Sequence, residues 1–449
     1  MRRLIITESE ADLTSYAGLG LIGMALNQQT NLVADAAAVS PLRVDAIPHA
    51  DILSSYIALL CLGKSDFEAV TPFREDAYFA EALNLAGVPS EGAVRQRMDA
   101  HAGAYRRLVE TAVIDVLCRT GAQLTPLDNG LMPLDCDVTP FDNSDSKKEG
   151  VSRTYKGMDG YAPMAAYLGQ EGYCLELELR EGSQHSQKGT PAFLERVLAK
   201  ARRLTQAPLL VRLDSGNDAI ENIAVIAACH EADAEHTAVH YLIKWNPRRE
   251  SPEGWRDYAD AHAQWNTPRP GKRVALFDVR ETRTHGDHTY PLRRVMRVIE
   301  RTIDKHGQHL LVPEVEIEGW WTSLTWCDAE TVIALYADHG TSEQFHSELE
   351  TDLGIERLPS GKFATNALVL ACAALADNIL RWIGQNGLLG ADAPPRHPAK
   401  RRRLRTVMQE LMYLAARLIR TGRRLKLALA YGCPVVPIFQ RLYTRLACT

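Results

Sequence analysis

The sequence predicts an α/β protein: a mixed-sheet core carrying a mostly β insertion, between helical N- and C-terminal regions. Three observations point there. Residues 130–245 alternate strand-like apolar runs with stretches of helical periodicity, the pattern of a sheet covered by helices. Residues 246–335 keep a strand texture and are too long and too patterned for a connecting loop. The first 125 residues instead place apolar side chains three and four apart, as amphipathic helices do.

In chain order, residues 52–62 form an apolar stretch of helical length that Gly63-Lys64-Ser65-Asp66 stops. Stretches 73–85 and 101–118 follow with the same periodicity. Between them lies Gly87-Val88-Pro89-Ser90, in which Ser90 is suited to cap a short helix bearing Arg95 and Arg97. Two helices joined by such a turn fit a helix-turn-helix reader of DNA, with Arg95 and Arg97 as its contacts; the same turn also serves to join two packed helices. Strands are expected at 131–138, 162–168 and 173–179, with Gln170-Glu171-Gly172 turning the last pair. A helix at 191–204, a strand at 208–213, a helix at 218–229 and a strand at 239–245 complete the series. This is the succession of a ribonuclease-H-like core, in which the first and fourth strands lie side by side. Further strands are expected at 273–281, 289–303 and 315–324, then a helix through Glu343 to Glu350. The apolar stretch 364–382 contains Asn366, Asp377, Asn378 and Arg381, so it reads as a buried helix and not a membrane span. The expected division is 1–125 helical and DNA-binding, 126–245 first part of the core, 246–335 insertion, 336–390 final core helices, and 396–449 basic and helical.

Composition excludes several classes. An apolar share of 46% and a charged share of 24% suit a soluble globular protein with a core needing no staples. The nine cysteines are odd in number and form no Cys-x-x-Cys pair, so neither a disulfide framework nor a zinc knuckle is indicated. With no long apolar leader near Met1, a cytoplasmic location is the expectation. Net charge is −5, yet residues 396–449 hold thirteen Lys and Arg against the single acid Glu410. A tail this basic on an acidic body suits a polyanion. Its apolar positions, Leu404, Val407, Met408, Leu411, Leu414, Ala415 and Leu418, predict a packed helix whose outer face turns Arg401, Arg402, Arg403 and Arg405 toward DNA, or simply toward water.

The candidate chemistry rests on three acids. Asp137 closes the run Leu131-Met132-Pro133-Leu134 and begins Asp137-Val138-Thr139, whereas Asp214 closes Pro208 through Leu213 ahead of Ser215-Gly216-Asn217. Glu343 lies in a polar helical stretch. Two carboxylates at neighbouring strand ends and a third from a helix can hold two Mg²⁺ or Mn²⁺ ions about 3.5–4 Å apart, the arrangement for in-line attack at phosphorus. Asp135 points to the same strand face as Asp137 and is a further metal candidate. Each acid alone would equally serve as a strand-end or capping carboxylate. Helical spacing also sets His339, Glu343, His346 and Glu350 on one face, a pattern shared by zinc sites and packed histidines.

These segments together resemble bacterial insertion-sequence transposases of the Asp-Asp-Glu type, in the group with a β insertion before the last acid. The matching pieces are Leu134-Asp135-Cys136-Asp137-Val138-Thr139, Lys156-Gly157-Met158-Asp159-Gly160-Tyr161-Ala162-Pro163-Met164, Leu179-Arg180-Glu181-Gly182-Ser183, Val211-Arg212-Leu213-Asp214-Ser215-Gly216, and Tyr336 through Glu350. They cover about residues 130–385 in the family's order. The resemblance implies a metal-dependent enzyme that cuts at the terminal inverted repeats of an element and joins the freed 3′ hydroxyl to target DNA. Synapsis of two ends implies a homodimer. Tyr336 matches the family's last block, whereas His339 and Glu350 stand where the family carries Arg and Lys that bind DNA; Arg357 and Lys362 are nearby replacements. Trp320-Trp321 would stack on an unpaired base at the cut, or pack in a β core. Two alternatives stay open: a DNA-binding protein of the same fold that has lost strand transfer, and a Mg²⁺-dependent nuclease without joining activity.

Overall fold

The structure is a computed structural model and describes residues 3–8, 10–41, 46–232, 238–390, 400–422 and 424–448. Residues 396–399 of the basic region therefore lie outside the described residues. Strand β1 (Leu13–Thr14) precedes helices α1 (Leu19–Gln28), α2 (Leu32–Ala36), α3 (His49–Leu60), α4 (Ala77–Leu83) and α5 (Glu91–Arg119). Ser90 does cap a helix, its Oγ accepting from Ala93 N at 3.2 Å. That helix is not short. α5 runs through the expected break with only His101 off the helical backbone (φ −122°, ψ 18°). Its Val94, Met98, Tyr105 and Val109 are buried, so one face of α5 belongs to the core. This corrects the role expected of Arg97, whose guanidinium turns inward to donate to His49 Nδ1 at 2.7 Å and Ile47 O at 3.4 Å. Arg95 stays in solvent, paired with Glu91 one turn away at 3.0 Å.

The core region begins with β2 (Met132–Val138), followed by three short strands, β3 (Phe141–Asp142), β4 (Ser152–Arg153) and β5 (Asp159–Tyr161). These three form a small separate sheet in the order β3-β5-β4. Then come β6 (Met164–Leu168), β7 (Tyr173–Glu178), α6 (Thr190–Leu204), β8 (Leu209–Leu213), α7 (Ile220–Ala232) and β9 (Val239–Lys244). β2 pairs antiparallel with β6 and parallel with β8, and β8 pairs parallel with β9. Every residue of β8 is buried, as expected of a central strand covered on both faces. The side-by-side placement of the first and fourth core strands is thus observed, and the core is ribonuclease-H-like.

The insertion comprises α8 (Pro252–His262), β10 (Trp265–Arg269), β11 (Lys272–His285), β12 (His288–Ile303) and β13 (His309–Thr322). β13 lies antiparallel to β9, so the insertion extends the core into one nine-stranded sheet, β10-β11-β12-β13-β9-β8-β2-β6-β7. The helix α8 is opened by Ser251, whose Oγ accepts from Gly254 N at 3.2 Å, followed by Pro252 at its first turn.

Beyond it lie α9 (Ala329–Ala337), a tight turn Asp338–Thr341, α10 (Ser342–Ser347), a wide turn Glu348–Asp352 and α11 (Phe363–Gly387). α11 is apolar enough to cross a membrane, but 89% of its most apolar stretch is buried inside the fold. Asn378 docks it to β7 by exchanging 2.8 Å hydrogen bonds with the Cys174 N–H and C=O.

The C-terminal region corrects the expected single helix. α12 (Leu404–Val407) and the turn Met408–Met412 bury Leu404, Val407 and Leu411. The chain then forms a hairpin of β14 (Ala416–Thr421) and β15 (Arg424–Leu429), and ends in α13 (Val436–Ala447). Within β14 the period drops to two: Ala416 and Leu418 are buried while Arg417 between them faces solvent. β1 pairs with β14, so the two ends of the chain share one small sheet.

Candidate active site

The register of β2 against β8 sets Cys136 opposite Leu213. The next residues are Asp137 and Asp214, delivered together at the carboxyl ends of two parallel strands. Glu343, on α10, lines the same cleft of about 620 Å³. Asp214 opens the turn Ser215–Asn217, and Asn217 Nδ2 donates to its Oδ1 at 2.7 Å. Asp137 Oδ1 accepts from Val138 N at 2.7 Å, and His346 Nε2 faces its Oδ2 at 3.5 Å.

Electrostatics separate the two aspartates. Burial works against the Asp137 charge, but His346, His339 and the Val138 N–H outweigh it and hold the carboxyl below its usual range. Asp214 is pushed up, first by burial and then by the Asp137 charge. Like charges forced together in a partly dry cleft favour an added cation or a proton. The Tyr155 ring is exposed, but its hydroxyl end sits against Val138 O at the cleft, and there burial and both aspartates push the phenol up to about 12.

Asp135 requires a correction. Arg212 Nε and Nη2 donate to its two oxygens at 2.5 and 2.8 Å, and His339 Nδ1 donates to Oδ1 at 2.9 Å. With both oxygens occupied and the residue outside the cleft lining, Asp135 is an ion-pair partner and not a metal ligand. Burial opposes its charge, but Arg212 and His339 bring its pKa to about 2. Burial also opposes a charged His339, and Asp135 reverses that, raising its pKa above the usual 6.5. His339 is therefore buried against Asp135, although its edge borders the cleft, which corrects its expected role as a DNA contact. Arg212 Nη1 also donates to Leu335 O at 2.8 Å and Asp338 Oδ2 at 3.0 Å, tying the end of α9 to the sheet.

Tyr336 lines the cleft, its ring 5.5 Å from His339. Trp320 and Trp321 are 2% and 0% exposed, with Lys244 over the first ring at 4.1 Å and Arg283 over the second at 4.4 Å. Neither ring is open to a base, so packing is their role. The tail arginines turn toward protein as well. Arg401 is paired with buried Glu348 and donates to Gln344 Oε1 at 3.0 Å. Arg402 Nε donates to Leu388 O at 3.1 Å, and Arg403 and Arg405 both reach Asp352, at 2.8 and 3.4 Å. These contacts anchor the C-terminal segment behind the Glu343 helix; they take Arg401 and Arg402 out of the expected DNA-facing row, while Arg403 and Arg405 stay exposed. Glu350 accepts from Thr139 Oγ1 at 2.6 Å. Lys362 pairs with Asp99 at 3.7 Å, and neither it nor Arg357 lines the cleft.

Sequence reasoning missed Arg212, Tyr155 and Lys156. Arg212 had a signal: a charge inside an apolar strand, two residues before Asp214, as Asp135 is two before Asp137. In a parallel register that spacing puts the opposite charges side by side, and the pair Asp135↔Arg212 is observed. Lys156 opens one of the segments that carry the resemblance, yet nothing local in it assigns Lys156 or Tyr155 to the cleft.

The residues fit a divalent cation on three grounds. Asp137 and Asp214 repel each other, the buried His346 Nε2 has only a long 3.5 Å approach to Asp137 Oδ2, and Glu343 is exposed, with no hydrogen bond or ion pair among the described residues. Among the described residues no three acids, histidines or cysteines stand preassembled as a metal site.

An acidic cleft at the ends of parallel strands in a ribonuclease-H-like sheet defines a class of polynucleotide-cutting and -joining enzymes. The chain belongs to the family Transposase DDE domain group 1, which matches residues 2–449. It is a transposase, an enzyme acting on DNA, in a family that generally depends on divalent metal. No curated protein matches the sequence. Among solved structures, the piggyBac transposase in its synaptic complex with hairpin DNA, seen by cryo-electron microscopy, is similar at 9% identity with a TM-score of 0.41, over 98% of this chain and 83% of that one. That likeness is too distant to argue from.

Proposed function

We propose that Asp137, Asp214 and Glu343 are the catalytic carboxylates of cut-and-paste transposition, and that together they hold two Mg²⁺ or Mn²⁺ ions. The carrying observation is the convergence of all three on one cleft from segments far apart in sequence. Such ions, when bound, would activate the attacking oxygen and stabilise the leaving one. The chain's own part is to position charge. Asp137 is kept anionic by the Val138 N–H and its histidine neighbours, Asp214 is aimed by Asn217, and Glu343 lines the cleft from its exposed side. The expected DNA substrates are the inverted-repeat ends of the element and then a target duplex. A homodimer that brings two ends together fits this use.

The test is a purified-protein assay on end DNA with Mn²⁺, scored for nicked and joined products. Asp214→Asn should retain end binding and yield neither product. Binding without nicking by the wild type would favour a protein that has lost strand transfer, for which His339 and Glu350 in the cleft are the best support. Nicks without joints would favour a simple nuclease.

A further inference from the structure

Lys156 is the only lysine or arginine among the residues lining the acidic cleft. It is exposed, and no hydrogen bond or ion pair to any described residue holds it. Its neighbour Tyr155 is 67% exposed, with its hydroxyl donating to Val138 O at 3.3 Å, beside Asp137. Both are the central residues of a built turn. Gly157 N donates to Thr154 O at 2.9 Å, while Thr154 N and Oγ1 donate to Met158 O at 2.8 and 2.9 Å. Thr154 is buried, and Gly157 adopts a φ of +81° that suits glycine. Flanking it, Arg153 and Asp159 pair across β4 and β5 at 3.6 Å. The backbone is thus fixed before any ligand arrives, while a cation and an aromatic face stay free at its tip.

We propose that the Thr154–Met158 turn is a DNA clamp: Lys156 holds the phosphate next to the scissile bond, and Tyr155 stacks on the base beside it. This rests on the reading of the cleft as the active site. A polyanion approaching Asp137, Asp214, Glu343 and Glu350 meets like charge, and Lys156 is the side chain placed to offset it at the rim. An exposed ring next to the carboxylates offers a π-face that any base can use, without sequence preference.

The experiment uses the full chain and a short nicked duplex carrying 2-aminopurine beside the nick, with Ca²⁺ as the only divalent ion. Lys156→Met should weaken binding and lower the slope of log affinity against log salt by about one, with Lys156→Arg restoring it. Tyr155→Ala should abolish quenching of the 2-aminopurine and weaken binding on the order of tenfold, whereas Tyr155→Phe keeps both. Melting temperatures should not move, because both side chains are exposed. An unchanged salt slope in Lys156→Met, or persistent quenching in Tyr155→Ala, overturns the clamp. The underlying reading fails separately: wild type that binds and quenches this duplex yet never cuts end DNA with Mn²⁺ sinks the catalytic assignment and leaves the clamp supported.

Discussion

Two layers of charge lie one pleat apart on the same pair of strands, and they behave oppositely. In the inner layer Asp135, Arg212 and His339 are buried and mutually satisfied. In the outer layer Asp137, Asp214 and Glu343 share a cleft with too few cations. A buried charge is tolerated when paired and hydrogen-bonded, and it then fixes geometry. An unpaired cluster is costly to the fold, and such clusters are expected where function needs them. The inner layer holds the end of α9 to the sheet, and so sets where the outer layer's helix begins.

Substitutions should separate the layers. The largest effect is expected for Asp214→Asn on end cleavage, at least about a thousandfold in rate, or roughly 4 kcal/mol in barrier. Its melting temperature should hold or rise, since burial and Asp137 both disfavour the charge being removed. Cleavage rate and thermal unfolding, measured on one preparation, check both halves. In the inner layer the balance reverses. Asp135→Asn leaves Arg212 buried beside a neutral amide and should cost about 3–5 kcal/mol of stability. Any surviving folded fraction should still cleave when assayed well below its melting point. A stable but inactive Asp135→Asn would instead put Asp135 in the chemistry.

The core order and the two strand-end acids of the cleft were legible because they depend on short-range signals: apolar runs, turn residues, and an acid ending each of two strands. What stayed hidden depends on partners distant in sequence. Asp135 and Asp137 look equivalent in a pleat, and only the register with Arg212 tells them apart. The tail arginines read as a DNA-facing row because their partners Glu348 and Asp352 lie some fifty residues earlier. In the same tail the apolar spacing reads as helical from Leu404 through Leu418, whereas the chain changes to a two-residue period at Ala416. Trp320 and Trp321 carry no local mark that separates a stacking ring from a packed one; their burial in the extended sheet decides it.

Two predictions of middle size follow from those buried contacts. Trp321→Ala, in a site with no exposed surface, should cost about 3–5 kcal/mol, with activity falling only as far as the folded fraction does. Chemical denaturation with a parallel cleavage assay tests this. Arg401→Met should cost less, on the order of 1–3 kcal/mol, because Glu348 keeps Arg381 at 3.3 Å as a second partner. If Arg401 bound DNA instead, affinity would fall with no change in melting temperature.

The smallest effect is pH-linked and bears on the inner layer alone. Asp135 has a folded pKa of about 2, below the value of about 3.9 expected when unfolded. Its contribution is present above that unfolded value and is lost as pH falls toward 2. His339 is shifted the other way, above 6.5. Its contribution is complete below pH 6.5 and disappears as pH rises through the folded pKa. The layer should therefore be strongest between about pH 4 and 6.5. Against His339→Gln, which lacks the ionisable ring, wild-type melting temperature should lead by most near pH 6 and by progressively less toward pH 8. A lead that stays constant over that range would mean the imidazole is neutral beside Asp135, and that Arg212 alone carries the pair.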